Sequence, residues 1–180
     1  MAAVIFGKGR ALGRAIAALT LLMMSTALPA EPTDTAVEAA FLPRFARYVT
    51  WPVTATPKGS DPFLLCVIGN DPFGGLLDDA ARSQLVNGRR IVVRRMDSAA
   101  AADSCQIAYV GGSRSGAILA ALGRKPVLTV TDAINGGQRG IIDFVLVDGR
   151  VRFSIDQSAA DKRGLSISSR LLALAVGVKQ

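Results

Sequence analysis

The segment Phe63–Ile68 constrains the fold most strongly, because all six of its residues are apolar and no polar residue interrupts them. A continuous apolar run of this length is typical of a strand that is buried on both faces of a sheet. Shorter strand-like segments follow at Arg90–Arg95, Gln106–Val110 and Val127–Thr131, with helix-like segments between them. Strands that alternate with helices indicate parallel βαβ units, so we expect an α/β fold.

The dipeptide Asp148-Gly149 separates the strand-like segments Ile141–Val147 and Arg150–Ile155. An Asp-Gly pair between two apolar runs is a strong signal for a tight hairpin. A hairpin adds antiparallel strands to a parallel sheet. The sequence therefore predicts a single α/β domain with a mixed, partly parallel β-sheet flanked by helices.

Residues 1–30 have the pattern of a secretory signal peptide. Three basic residues precede a mostly apolar run of about ten residues, which is too short to span a bilayer. Small residues allow cleavage after Ala27 or Ala30. Cleavage would remove three of the 21 basic residues and none of the 14 acidic ones, so the net charge would fall from +7 to +4. We expect residues 31–180 to form the mature, exported domain; an uncleaved anchor or a buried helix is the alternative.

The chain has no histidine and two cysteines, which excludes several kinds of site. Ser-His-Asp and Cys-His catalytic arrangements and histidine-ligated zinc all require histidine. We therefore predict no catalytic residue, no metal and no cofactor, and favour a binding or regulatory protein over an enzyme. In an oxidising compartment an even pair of cysteines favours a disulfide between Cys66 and Cys105. Two free buried cysteines are the alternative.

Aromatic residues mark the start of the mature chain. Phe41, Phe45 and Tyr48 are spaced four and three residues apart, which predicts an amphipathic helix that ends before Trp51. Pro43 interrupts the pattern, so the helix is either kinked there or has its main part beginning there. These four aromatic residues belong either to the core or to an exposed patch that binds a partner.

Arginines surround the apolar centre of the second strand-like segment, at Arg89, Arg90, Arg94 and Arg95. One interpretation is a solvated face that is partly paired with aspartates. The other is contact with an acidic partner surface, for which Arg89 and Arg94 are the candidates. Export from the cytoplasm argues against a nucleic-acid-binding patch.

A glycine-rich turn precedes a helix-like segment and consists of Gly111, Gly112, Ser113, Arg114 and Ser115. Backbone N–H groups in such a turn can hold an anion or another small ligand, and a plain strand-to-helix turn is the alternative. The turn lacks the Lys-Ser/Thr ending of a phosphate-binding loop, which argues against a nucleotide. Gly136-Gly137 marks a second place where a ligand could lie at the sheet edge.

Three aspartates lie around the predicted hairpin, at positions 143, 148 and 156. Paired carboxylates can act as a general acid and base. We instead expect Asp143 to lie on the surface, Asp148 to form the turn and Asp156 to cap a helix, because their spacing follows the hairpin.

Six segments between Val37 and Ala175 follow one another in a recognisable order. They read VEAAFL with FARYVTWP, NGRRIVVRR, CQIAYVG, PVLTVTD, IDFV with GRVRFSI, and SSRLL. This succession resembles the YfiR family of periplasmic regulators, also called the DUF4154 domain. The chain departs from the family's usual pattern at Pro43, where an aromatic is common, and at Asp143, where asparagine is frequent.

The resemblance implies regulation rather than catalysis. It implies a periplasmic protein that represses a membrane-bound diguanylate cyclase by binding its periplasmic domain, and so controls cyclic-di-GMP signalling and biofilm formation. The implied partners are an inner-membrane diguanylate cyclase or the periplasmic domain of a sensor kinase, an outer-membrane lipoprotein that relieves the repression, and a second copy of the chain as a homodimer. The alternative is a small-molecule-binding sensor domain that is coupled to a membrane kinase or transporter.

Overall fold

A computed structural model describes residues 31–133 and 138–180. Within it, Pro32–Gln180 groups into one compact unit. The predicted signal peptide at residues 1–30 and the ligand prediction at Gly136-Gly137 lie outside the described residues.

The described residues form five helices and ten strands. The helices are α1 (Asp34–Phe45), α2 (Gly75–Arg82), α3 (Ser115–Leu122), α4 (Gln157–Asp161) and α5 (Ser169–Leu172). The strands are β1 (Val49–Thr50), β2 (Phe63–Gly69), β3 (Leu85–Val86), β4 (Arg89–Met96), β5 (Ile107–Gly111), β6 (Leu128–Asp132), β7 (Ile142–Val147), β8 (Arg150–Asp156), β9 (Ser166–Ile167) and β10 (Gly177–Lys179). Two short 3₁₀ helices lie at Val53–Ala55 and Ala99–Ser104.

Eight of the strands form one sheet in the order β10-β8-β7-β6-β5-β2-β4-β3, and β1 pairs with β9 in a separate two-stranded sheet. Strands β7, β6, β5, β2 and β4 run parallel to one another. Strand β8 returns antiparallel to β7 through the Asp148-Gly149 turn. Both turn residues have positive φ, +51° and +69°, as the tight hairpin requires. The predicted α/β fold with a mixed sheet is confirmed.

Alternating side chains of β2 point to two separate cores. Phe63, Leu65 and Val67 belong to the larger core, which lies beneath α1 and α2. Leu64, Cys66 and Ile68 belong to the smaller core, which lies beneath α3 and the 3₁₀ helix Ala99–Ser104. Helices therefore cover both faces of the central strand, which explains why its sequence is apolar throughout.

Helix α1 decides between the two predictions for Pro43, a kink in the helix or a main part that begins at the proline. The helix begins at Asp34, where the Thr33 side chain accepts a hydrogen bond from the Ala36 N–H at 3.3 Å, and Pro43 lies within its last turn. The main part of the helix therefore does not begin at Pro43. A proline so near the carboxyl end removes only one hydrogen bond from the helix.

The carboxyl-terminal segment contains a short helix followed by a short strand. Helix α5 ends at Leu172, and the chain then forms β10. The N–H of Val176 donates to the Phe153 carbonyl at 3.0 Å, and β10 pairs in parallel with the outer edge of β8. The hairpin leaves the backbone N–H and C=O groups on the outer edge of β8 without partners, and β10 pairs with that edge.

Candidate functional site

A cleft of about 1020 Å³ lies where β2, β5 and β6 end. Along the parallel part of the sheet, the strand order β4-β2-β5-β6-β7 reverses direction between β2 and β5. Ligands of open α/β sheets bind in the crevice at such a point of reversal, outside the carboxyl ends of the strands. We call this site the switch-point cleft; its lining includes Glu38, Asn70, Tyr109, Arg114 and Asp132.

The predicted glycine-rich turn forms one wall of the switch-point cleft, since all five of its residues line it. Its first glycine serves the close approach of two strands. A Cβ atom at Gly111 would lie 2.3 Å from the Asn70 carbonyl oxygen, and one at Gly69 would lie 2.4 Å from the Gly111 carbonyl oxygen. Because these contacts account for Gly111 without a ligand, binding of an anion at this turn stays a prediction.

Carboxyl groups dominate the charge of the cleft. Asp34 and Glu38 enter from α1, Asp132 enters from the end of β6, and Arg114 faces them from the turn before α3. Burial raises the pKa of Glu38 to about 7, and the charges of Asp132 and Asp34 contribute to the same shift. Burial also raises the pKa of Tyr109, with a smaller effect from Glu38. The Tyr109 phenol stays protonated at neutral pH, whereas the Glu38 carboxyl titrates near neutral pH.

The aromatic residues of the first helix divide between the core and the surface. Phe45 is only 1% exposed, and its ring lies 5.2 Å from that of Phe153 and 6.0 Å from that of Phe144. Trp51 is also buried, and its indole Nε1–H donates to the Gln106 carbonyl at 3.0 Å. Phe45 and Trp51 are therefore core residues rather than members of an exposed patch.

Phe41 and Tyr48 are half-buried and pack against the edge of the larger core. A partner could reach them, so their role in binding stays a prediction.

The structure separates the two arginines that the sequence proposes for partner binding. Arg89 donates hydrogen bonds to the carbonyl oxygens of Gly59 at 2.6 Å and Asp61 at 2.9 Å, which ties β4 to the loop before β2. Arg94 is exposed and lies five residues further along the same strand. Residues an odd number apart on a strand point to opposite faces, so these two arginines do not form one surface.

The neighbouring Arg95 forms ion pairs with Asp71 and with Asp78, each at 2.6 Å. Hydrogen bonds to these two carboxylates raise the pKa of Arg95, and the hydrogen bond from Arg95 lowers the pKa of Asp78. Of the two interpretations of the arginine cluster, pairing with aspartates therefore applies to Arg95.

An apolar and basic surface surrounds Arg94. Leu85 and Val92 are 59% and 36% exposed. Leu85 lies directly opposite Arg90 in the antiparallel pair β3–β4, so the two side chains share a face, and Val92 and Arg94 follow Arg90 at intervals of two. We call these four residues the β3–β4 face. The sequence pattern did not identify it, because β3 is only two residues long.

Asp143 corrects a sequence prediction, because it is buried rather than on the surface, with 4% of its area exposed. Its carboxylate accepts a hydrogen bond from the Thr131 hydroxyl and another from the Gly140 N–H at 2.8 Å. Burial raises the pKa of Asp143, and both hydrogen bonds oppose that shift. Asp143 also lines a second cavity, of about 740 Å³, beside β8 and β10. Asp148 and Asp156 form the turn and the helix cap as predicted.

Replacing Asp143 with alanine should destabilise the fold by about 1–3 kcal/mol, because the buried Thr131 hydroxyl loses its acceptor and the Gly140 N–H keeps only its bond to Thr131 Oγ1, at 3.0 Å. Asp143→Asn should cost less, since an asparagine oxygen can accept the same two bonds. Urea unfolding of both variants measures the difference. Equal stability of Asp143→Ala and the native protein would show that the two hydrogen bonds contribute nothing net.

The two cysteines meet on the face of the sheet that carries the smaller core. Cys66 on β2 and Cys105 just before β5 form a disulfide with a Cα–Cα distance of 6.0 Å, and both residues are buried. Each lies against apolar residues of that core, among them Ala102 and Leu122. The bridge therefore holds β2 and β5 together on the side of the sheet away from α1.

In residues 31–133 and 138–180, no group of three or more Cys, Asp or Glu side chains is placed to hold a metal ion. No helix in this part of the chain is both long enough and apolar enough to cross a membrane.

Comparison with known proteins extends the resemblance noted in the sequence. A search of curated proteins found no match. The model of the YfiR/HmsC-like family matches residues 35–176, from the first turn of α1 to the residue before β10. Since this match covers well over half of the chain, the chain belongs to the YfiR/HmsC-like family.

Proposed function

We propose that the protein is a periplasmic regulator that binds the periplasmic domain of a membrane-bound diguanylate cyclase and holds the cyclase inactive. The observation that carries this proposal is the family match over residues 35–176. The absence of histidine and the signal-peptide pattern of residues 1–30 support it. An outer-membrane lipoprotein that competes for the regulator would then release the cyclase.

The β3–β4 face is the surface that we assign to the cyclase. It combines two exposed apolar side chains, Leu85 and Val92, with the guanidinium groups of Arg90 and Arg94. Protein interfaces commonly join an apolar centre to charges that match the partner's. We therefore expect the cyclase to present an apolar surface with acidic residues around it.

Deleting the gene should raise cellular cyclic-di-GMP several-fold, measured by mass spectrometry of cell extracts. The native protein should restore the low level, whereas Arg94→Glu should not, because it places a negative charge against an acidic partner. Arg152→Glu is the matched control, since Arg152 is also exposed on a strand but lies on β8, five strands away from β4. Immunoblots of periplasmic extracts check that both variants accumulate.

Two results would contradict this proposal in different ways. Unchanged cyclic-di-GMP after deletion would contradict repression of a cyclase. Full repression by Arg94→Glu would leave the function in place and contradict only the β3–β4 face. Capture of a GGDEF-containing protein from membranes by the native protein, and its loss with Arg94→Glu, would support both.

The switch-point cleft favours a second candidate function, that of a small-molecule sensor coupled to a membrane kinase or transporter. Its volume of about 1020 Å³ is at the upper end of the range of ordinary ligand sites. A ligand that binds only the folded protein raises its melting temperature, so a thermal-shift screen tests this function.

A further inference from the structure

Glu38 is a buried acidic side chain that has no partner. Only 4% of its area is exposed, and it lines the switch-point cleft. Throughout the described part of the chain, no hydrogen bond or ion pair reaches its carboxyl group. Burying an unpaired carboxylate is costly, so such a group either keeps a proton or waits for a partner. An open cleft beside it gives a partner access.

The charged and titratable groups around Glu38 come from every element that borders the cleft. Asp34 lies one turn earlier on α1, Asp132 ends β6, Tyr109 is on β5, and Arg114 precedes α3. The side chains thus contribute three negative charges and one positive charge when Glu38 is ionised. The amino ends of α1 and α3 each add roughly half a positive charge. Even so, the charges of Asp132 and Asp34 both raise the pKa of Glu38, so the field at its carboxyl group is negative, which favours a cation over an anion.

The arrangement of the carboxyl groups distinguishes between kinds of cation. Among residues 31–133 and 138–180, these carboxyl groups do not form a cluster that could hold a metal ion. They line a cleft of about 1020 Å³ instead of converging on one point. A linear organic molecule with an amino group at each end can reach two separate carboxylates, whereas a single metal ion cannot.

We propose that the switch-point cleft binds a small linear diamine, with one ammonium group against Glu38 and the other toward Asp34. This proposal rests on the second candidate function, and cyclase repression does not depend on it. The ammonium supplies the hydrogen-bond donor and the positive charge that the buried carboxylate lacks. Tyr109 adds an aromatic wall, and aromatic rings attract ammonium groups.

Binding should depend on pH through Glu38. Its pKa of about 7 makes the carboxyl mostly neutral at pH 6 and mostly ionised at pH 8. An aliphatic diamine remains protonated at both values, like the lysine side chain. The affinity should therefore rise roughly tenfold from pH 6 to pH 8, in proportion to the ionised fraction of Glu38.

Calorimetric titration with 1,4-diaminobutane at pH 8 tests the proposal, with 1,4-butanediol and succinate as the neutral and anionic probes of the same length. The diamine should bind and raise the melting temperature by several degrees, and the other two should do neither. Glu38→Gln should weaken diamine binding at least tenfold and remove the dependence on pH. Glutamine is a neutral isostere, so this variant should fold at least as well as the native protein.

Asp79→Asn is the matched control. Asp79 is an exposed carboxyl on α2 that pairs with Arg82 outside the cleft, so its loss should leave diamine binding within about twofold. The proposal is overturned if the native protein does not bind the diamine, if succinate binds instead, or if Glu38→Gln binds the diamine as the native protein does. Binding of succinate would retain the cleft as a ligand site and the second candidate function. Binding of none of the three probes would overturn the diamine proposal alone, because the thermal-shift screen tests the second candidate function separately.

Discussion

Replacing Cys66 and Cys105 together with alanine should lower the free energy of unfolding by about 4 kcal/mol. The bridge closes a loop with a sequence separation of 39 residues, and a cross-link of that span greatly restricts the unfolded chain. For a domain of this size the melting temperature should fall by about 10 °C. Urea unfolding under oxidising conditions measures the free-energy difference directly.

Reductant provides the control for this prediction. Dithiothreitol should lower the melting temperature of the native protein to nearly that of the double variant, and it should leave the variant unchanged. Both cysteines are buried, so reduction should become complete only when the protein is warmed or partly unfolded. A native protein whose stability is the same with and without reductant after unfolding and refolding would contradict a stabilising bridge.

The central part of the fold could be predicted from the sequence because its signals are local. The unbroken apolar run of β2 indicates a strand covered on both sides. The structure confirms this, because alternating residues of β2 belong to two separate cores. The Asp148-Gly149 turn likewise depends only on its own backbone conformation. Strands β1, β3 and β10 are two or three residues long, so no periodicity could identify them, and each forms only because a partner strand is near.

The candidate sites were harder to predict, because they depend on where distant segments meet. Glu38, Tyr109 and Asp132 lie on three different elements, and only the strand order brings them to one cleft. The spacing of Asp143 from the hairpin turn predicts a surface residue, and charged side chains are seldom buried. Its burial depends on the Thr131 hydroxyl, which lies on the neighbouring strand β6, and on the Gly140 N–H three residues earlier. The pairing with Thr131 cannot be inferred from the sequence around Asp143.

Replacing Phe45 with alanine should destabilise the protein by about 3–5 kcal/mol, the usual cost of emptying a buried aromatic site. Phe45 packs against the rings of Phe41, Phe144 and Phe153, with centroids 5.2–6.1 Å away. These rings join α1 to β7 and β8, so the cavity would open between the helix and the sheet. Urea unfolding of the variant and the native protein gives the loss of stability, provided that their free energies of unfolding depend equally on the urea concentration.

Phe41→Ala is the comparison that separates packing from partner binding. Phe41 is half-buried, so its truncation should cost clearly less stability than that of Phe45. If α1 also contributes to a partner interface, Phe41→Ala should weaken capture of the membrane partner at a temperature where both variants are folded, and Phe45→Ala should not. A smaller stability loss for Phe45→Ala than for Phe41→Ala would contradict the core assignment, because the side chain that is more deeply buried must lose more contacts when it is removed.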